Sequence, residues 1–562
     1  MRLMILLMRC TFFLLIPFFL TFCEAGGAPL LRIAYFNSLK GRLFALKTTV
    51  RKKGKNVYLL DKKGKIVRRS GVSLLSSLVK KISRSGGLIA LLANSNFLYG
   101  TSEAYFTDGR QVITLLEKIG FHGLVLGHRE FYFGPDVLAK MGRESLSDDR
   151  SYTFINANIV DSRTGKCPAY FKPYKLFVNA SGQSVAIIGF VTRSAITKIP
   201  GALFRNFKYL PPEKVIDPII KKLQTEKVNK IVVMADFNLK VTGGDPKKPE
   251  SHENVRTYSI ESDLMAILDR PVDLFMIRSK KEIAGIASIA AKKGKQARLV
   301  AIKEGGGFLG VYTFRDSAAE DSFQVYTVDS RRISPDISLA ETLYNLRGTL
   351  QTIAGKVIGI ADGEMNHFTS RESPLGNLVS DALRDYCKTD VVLVNSGAMK
   401  FGLASGPITR MDMYNILPYQ QLLVGLRLTG AQLLSVLENS VTYVGENFKS
   451  FAQVSGIRFR YDSRKPAGKR VVPGSVLVGG LPLQYGRVYT LAVTSYIARG
   501  GDRYFTLKNG IQSKKFQVFR PSFGQNDRNI VESYIEKKTK RNRTVFRTVT
   551  GRVIDIARKI RT

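Results

Sequence analysis

Acidic residues are scarce in this chain of 562 residues: 45 Asp and Glu stand against 86 Lys and Arg, a formal charge of +41. It has no Trp, and only four Cys and four His. The deficit of acid implies attraction to polyanions such as nucleotides, nucleic acid, glycosaminoglycan or an anionic membrane, without choosing among them. For nucleic acid, charge is the whole argument, since no recognition motif accompanies it. Four Cys exclude a disulfide-dense scaffold. Two of them, Cys10 and Cys23, lie in the leading segment. Cys167 and Cys387 remain, as one long-range disulfide or as two thiols, and their separation favours two thiols. Long apolar runs are also missing after residue 25, and the charged end RVIDIARKIRT carries no hydrophobic anchor tail.

The remaining composition is that of a folded protein. At 44% hydrophobic and 10% aromatic the chain can bury cores, and its length asks for two domains rather than one. Residues 1–25 read as a signal peptide, with Arg2 and Arg9 before an apolar run and Cys23-Glu24-Ala25 as the cleavage site. The expectation is a secreted protein without a membrane anchor. Asn179-Ala-Ser181 and Asn542-Arg-Thr544 are then glycosylation acceptors in a eukaryotic host.

Short apolar strands recur with helices between them. LLRIAYF, LIALLAN, LVLG, SVAIIGFVT, NKIVVMA and VDLFMI read as strands, and RQVITLLEKIG as an amphipathic helix closed by Gly120. This rhythm predicts a layered α/β domain, with chemistry on the loops after the strand ends. Those loops are FNSLKGR, NSNFLYGT, GHREFYFG, ADFN and RSKKE. One long helix over 337–353 predicts a linker, and a second α/β region follows from 354 to 562.

Several of these stretches carry a resemblance. LGHREFYFG, FINANIVD, ESPLGNLVSDAL, VNSGAMK, LTGAQLL, FAQVSGIRFRYDSRKPAGKRVV and SYIARGGDRYF occur in an order that resembles the secreted 5′-nucleotidase and apyrase family. The resemblance implies a metallophosphatase-like domain over 26–336, a linker helix over 337–353 and a nucleoside-binding domain over 354–562. It also implies two divalent metals that bind phosphate and generate the attacking hydroxide.

At the positions where that family holds its metals, this chain has Ser38, Lys40, Asn96, His128, Asp236, Ser279 and Lys281. The family's catalytic His falls on Arg129, and the Asp that orients it on Tyr132. Lysine brings positive charge and no lone pair at neutral pH, so it cannot replace a histidine ligand. The sequence therefore predicts no metal cofactor and no catalysis, although His128 and Asp236 could still grip one ion. Lys40, Arg129, Arg278 and Lys281 would then converge as a cationic pocket for an anion; the alternative is loop drift after catalysis was lost.

The second domain keeps more of the family's pattern. Its base-stacking aromatics fall on Phe451 and Tyr496, its ribose Asp on Asp502, and its Asn and Arg on Asn395 and Lys400. A further family arginine falls on Pro374. The expected function is a secreted, inactive homologue binding an acidic ligand: a nucleotide, a glycosaminoglycan or a host platelet or plasma protein. For a blood-feeding arthropod, the resemblance implies an anti-haemostatic role. The competing expectation is an active enzyme hydrolysing extracellular AMP, ADP or ATP.

Overall fold

The computed structural model describes residues 31–557 apart from 45, 48, 53–54, 59–64, 148–149, 243–256, 260, 280–284, 291–295, 316–320, 445, 447–448, 543 and 546–548. The signal peptide expected over 1–25 lies outside the described residues. Among the described residues, no helix is long and apolar enough to cross a membrane.

Two sheets pack face to face in the first half. One runs in the order Ser322–Thr327, Phe308–Phe314, Leu31–Asn37, Leu88–Asn94, Gly123–Val125, Thr153–Ile155. The other places Ser184–Phe190, Lys230–Thr242, Leu274–Ser279 and Gln296–Lys303 side by side and parallel, flanked by the antiparallel strands Tyr174–Val178 and Gly285–Ala290. The continuous apolar runs arise because each strand is covered on both faces. Successive side chains point to opposite sides of a strand. Ile33 and Tyr35 therefore join Val185, Ile187, Val232 and Met234 in the core between the sheets. Ala34 and Phe36 face helices Val72–Ser83 and Arg110–Ile119 in an outer core. Ala186, Ile188 and Val233 face helix Ile216–Thr225 in the outer core of the second sheet. The result is four layers, helix, sheet, sheet, helix, with each fully buried Ile or Leu contributing about 1.5–3 kcal/mol.

Helix Arg110–Ile119 ends at Gly120 with φ of 104°, the left-handed stop that its sequence predicts. Where one helix was expected over 337–353, a 3₁₀ turn, Ile337–Leu339, leads into helix Ala340–Ala354. Beyond it a five-stranded sheet runs Ala452–Ser455, Val391–Asn395, Val488–Thr494, Leu423–Thr429, Gln517–Arg520, with helices Pro374–Cys387 and Gly430–Val441 packed on it. Thr429 opens the second of these helices with a capping box closed by Gln432. Cys167 and Cys387 are separate thiols, and burial pushes the Cys387 thiol up to about 12.

Gly456 shows how tightly the second half is built. Its φ is +81°, and a Cβ there would lie 2.0 Å from the Asp390 carbonyl oxygen. Gly182 has the same φ of +81° but nothing within 4 Å of its would-be Cβ. Gly182→Ala is expected to cost about 1 kcal/mol from backbone strain alone. Gly456→Ala adds a backbone collision and is expected to cost at least about 2 kcal/mol more. Urea midpoints at unchanged slope test the difference.

Candidate functional site

The loops after the parallel strands meet at one end of the double sheet. Two buried asparagines tie the sheets together there. The Asn37 amide donates to the carbonyls of Ile277 and Ile302 at 3.1 and 3.0 Å, and the Asn94 amide donates to Asn37 Oδ1 and the Ala235 carbonyl at 2.8 and 3.2 Å. The first two loops then run side by side, with Lys40 N–H on the Asn96 carbonyl and Gly41 N–H on that of Phe97. Ser38, Lys40, Ser95 and Asn96 all sit in left-handed backbone, at φ of 53°, 57°, 44° and 53°. Such clustered strain in non-glycine residues is characteristic of functional loops. It is held by Glu130, fully buried, whose carboxyl accepts backbone N–H groups of Asn96, Leu98 and Gly127 at 2.9, 3.1 and 2.8 Å.

At the centre lies a chain of alternating charge. Asp236 is fully buried where strand Lys230–Thr242 shifts register, between Met234 and Asn238. One Asp236 oxygen lies 2.6 Å from Arg278 Nε, and the other accepts from Asn96 Nδ2 at 3.1 Å and meets His128 Nδ1 at 3.0 Å. Arg278 Nη1 donates to Glu304 Oε2 at 2.8 Å, and Lys40 Nζ donates to Glu304 Oε1 at 2.9 Å. Burial alone would raise the Asp236 carboxyl, but the Arg278 charge and the His128 contact outweigh it and hold it well below the usual carboxylate range. Burial lowers the His128 imidazole despite Asp236 beside it, which keeps the ring neutral near pH 7. Glu304 is partly desolvated, yet Lys40 and Arg278 hold it below its ordinary value.

This geometry corrects the cationic pocket expected from Lys40, Arg129, Arg278 and Lys281. Arg278 is buried and shared by two carboxylates, and Lys40 is engaged by Glu304, so neither faces an open anion site. Lys281 lies outside the described residues. Arg129 donates to the Tyr99 carbonyl and lines a cleft. Glu304 was not anticipated, although it follows strand Gln296–Lys303 as the other site residues follow theirs. The six described family ligand positions lie at this end of the sheets. Ser38, Asn96, His128, Asp236 and Ser279 are buried there, but the carboxylate among them is already ion-paired with a guanidinium. Among the described residues, no three His, Cys, Asp or Glu side chains cluster as a metal site.

The cleft has a volume of about 920 Å³ and opens between the two halves. The first half contributes His128, Arg129, Tyr132 and Lys198, and the second Tyr419, Tyr496, Arg499 and Lys508. Four cations line it and no carboxylate does among the described residues. Tyr132, where the family's orienting Asp was expected, donates its hydroxyl to the Lys198 carbonyl at 3.2 Å.

The expected nucleoside pocket is only partly present. Phe451 is 1% exposed and packs in the core of the second half, so it cannot stack on a ligand. The pattern that placed it beside Tyr496 could not distinguish a core aromatic from a surface one. Tyr496 is 41% exposed and lines the cleft, its hydroxyl donating to Asp502 at 3.0 Å. Asn395 donates to the other Asp502 oxygen at 2.6 Å, and Lys400 donates to the Gly397 carbonyl at 2.9 Å beneath the Tyr419 ring. Pro374 is the first residue of helix Pro374–Cys387, a position that suits proline. Asn179 is half-buried and its amide donates to Gln183; the Asn542 side chain lies outside the described residues.

Residues 351–509 match the 5′-nucleotidase, C-terminal domain family. The chain is 27% identical over 401 residues to endonuclease YhcR of Bacillus subtilis, covering 69% of this chain but only 31% of that longer protein. It is 26% identical over 529 residues to the snake venom 5′-nucleotidase of Gloydius brevicauda, covering 86% of this chain and 83% of that one. Among solved structures, a putative 5′-nucleotidase from Staphylococcus aureus superposes with a TM-score of 0.65 at 17% identity, over 94% of this chain and 99% of the other. The two-part α/β fold expected is thus shared with a solved 5′-nucleotidase-like structure, and the second half matches the nucleotidase C-terminal family.

Removing the central cation tests the charge chain. Arg278→Ala removes the only cation paired with the fully buried Asp236 carboxylate and leaves Glu304 with Lys40 alone, and is expected to cost about 3–5 kcal/mol at neutral pH. The depressed Asp236 carboxyl contributes stability above its unfolded value near pH ~4, and that contribution is lost as pH falls through the folded value. The difference between wild type and variant should therefore narrow below about pH 4, as read by denaturant midpoints across a pH series.

Proposed function

From a chain that is a relative of the 5′-nucleotidases through both its halves, we propose an exported protein that binds an acidic ligand in the interdomain cleft without hydrolysing it. The observation that carries this reading is the position of Arg278. A guanidinium keeps its proton and offers no lone pair. Arg278 is paired with one Asp236 oxygen, and Arg278 and Lys40 with the two Glu304 oxygens, while the other Asp236 oxygen meets His128 and Asn96. One neutral imidazole and one engaged carboxylate are a poor donor set for two dications. Metal-held hydroxide, the means by which such sites attack phosphorus, then has no support. Arg129 stands where the family's catalytic histidine was expected and cannot act as a base at physiological pH.

The cleft supports the binding half of the proposal. Arg129, Lys198, Arg499 and Lys508 provide positive potential for phosphate or sulfate, and Tyr419 and Tyr496 provide exposed ring faces. A nucleotide meets both features, since base stacking contributes about 1–3 kcal/mol per contact and tolerates any base. Export is supported by the composition of residues 1–25 and by kinship with a venom protein. The names of the relatives favour a second reading, retained hydrolysis of nucleotides.

Calorimetric titration of ATP, ADP, AMP and adenosine into the mature chain, with EDTA or with Mg²⁺, Ca²⁺ or Zn²⁺, separates these readings. Saturable binding that is indifferent to metal is expected, with no phosphate released. Tyr496→Ala should weaken it by about 1–3 kcal/mol, and Arg499→Ala by roughly tenfold or more through loss of a charged hydrogen bond. Metal-dependent phosphate release would overturn the inactive reading. Absence of nucleotide binding, with salt-sensitive retention on heparin, would move the ligand to a glycosaminoglycan.

A further inference from the structure

Arg528 is the largest fully buried side chain among the described residues. It begins helix Asp527–Asn542 in the second half. Its Cζ lies 4.1 Å from the ring centre of Tyr105 and 4.6 Å from that of Tyr414. Tyr105 belongs to helix Ser102–Phe106 in the first half, and Tyr414 to helix Arg410–Ile416 in the second. The two rings meet each other at 5.6 Å and 34°, so the guanidinium closes the third side of a cluster that straddles the halves.

A buried guanidinium is costly unless its surroundings compensate for lost water. Here Nε donates to the Leu417 carbonyl at 2.9 Å, while Nη1 and Nη2 have no hydrogen-bond partner. Besides the charges of Asp527 and Glu532 it has the two ring faces, which attract a cation most strongly when water is excluded. One of those rings comes from the other half of the chain. The neighbouring contacts reinforce the same junction. Tyr105 Oη donates to Asn529 Oδ1 at 3.2 Å, Phe106 packs 6.0 Å from Tyr414, and Arg410 lies over Phe106.

The junction is bonded to both walls of the cleft. In the second half, Asp527 N–H donates to the Gln421 carbonyl at 2.8 Å, and the Asp527 carboxyl accepts the Gln421 N–H at 2.9 Å. Gln421 lines the cleft. In the first half, Thr101 caps the helix of Tyr105 and donates its hydroxyl to the Gly41 carbonyl at 2.7 Å, in the loop next to Lys40. Arg129, on the cleft wall, donates to the Tyr99 carbonyl at 3.4 Å, two residues before that cap.

We propose that Arg528, packed against Tyr105 and Tyr414, is a positioning residue that holds the two halves in one orientation and so fixes the width of the cleft before any ligand arrives. A preformed cleft binds without the ordering cost that a loose pair of walls would carry.

Small-angle X-ray scattering of the full mature chain, without ligand, tests this independently of what the cleft binds. Arg528→Met keeps an unbranched stem and removes the guanidinium with its charge. Tyr105→Ala removes the ring from the other half, and guards against a folding defect in the first variant. Both should give a larger radius of gyration and a broadened pair-distance distribution, with unchanged far-UV circular dichroism. Tyr105→Phe keeps the ring, loses only the Asn529 bond, and should scatter like wild type. Wild-type profiles for both Arg528→Met and Tyr105→Ala would overturn the proposal. So would a Tyr105→Phe profile as expanded as that of Tyr105→Ala, since the hydrogen bond rather than the ring would then be the tether.

Discussion

The guanidinium of Arg278, set between the carboxylates of Asp236 and Glu304, is the interaction on which the strand ends depend. None of these groups is stable there alone. A buried carboxylate without a partner would take up a proton, and a buried guanidinium cannot release one. Each neighbour then follows. Asp236 has oxygen capacity left over, which His128, Asn96 and Ser95 fill; Glu304 has a second oxygen, which Lys40 fills. The loops are bound into one charge-balanced unit, and changing one member disturbs the protonation of the rest.

This unit divides the cations near the cleft into two populations. Lys40 and Arg278 are neutralised inside the protein, where low dielectric makes each pair strong but costly to form. Arg129, Arg499 and Lys508 line a cavity that has no lining carboxylate among the described residues, so their field extends into it. The distinction matters in a chain of charge +41, where surface lysines alone say little. Position relative to acid, rather than number, is what gives a basic residue a role here.

Much of the fold was legible in the sequence because its signals are local. Runs such as LIALLAN and SVAIIGFVT can only be strands covered on both faces, and Gly120 stops its helix as its position dictates. The lines of the site were legible too, since Asp236, His128 and Asn96 do meet at the strand ends. What the sequence could not give was pairing across distance. Glu304 lies 68 residues beyond Asp236, and nothing local says that it shares Arg278 with it. Without that carboxylate, Lys40 and Arg278 read as free charge. Phe451 misled for the opposite reason: an aromatic in a suggestive motif looks the same whether its face meets a ligand or, as here, the interior. Arg528 was invisible because its meaning depends on a tyrosine more than four hundred positions away.

Glu130 has a consequence of its own. Its carboxyl grips backbone N–H groups from the second and third loops, and backbone is indifferent to which side chains those loops carry. The left-handed turns at Ser38, Lys40, Ser95 and Asn96 are supported in the same way, by main-chain bonds between adjacent loops. The path of these loops is therefore supported by main-chain bonds as well as by the side chains that meet at the strand ends. The main-chain part of that support survives a change of side chain, which makes these loops a place where new specificities can arise by substitution.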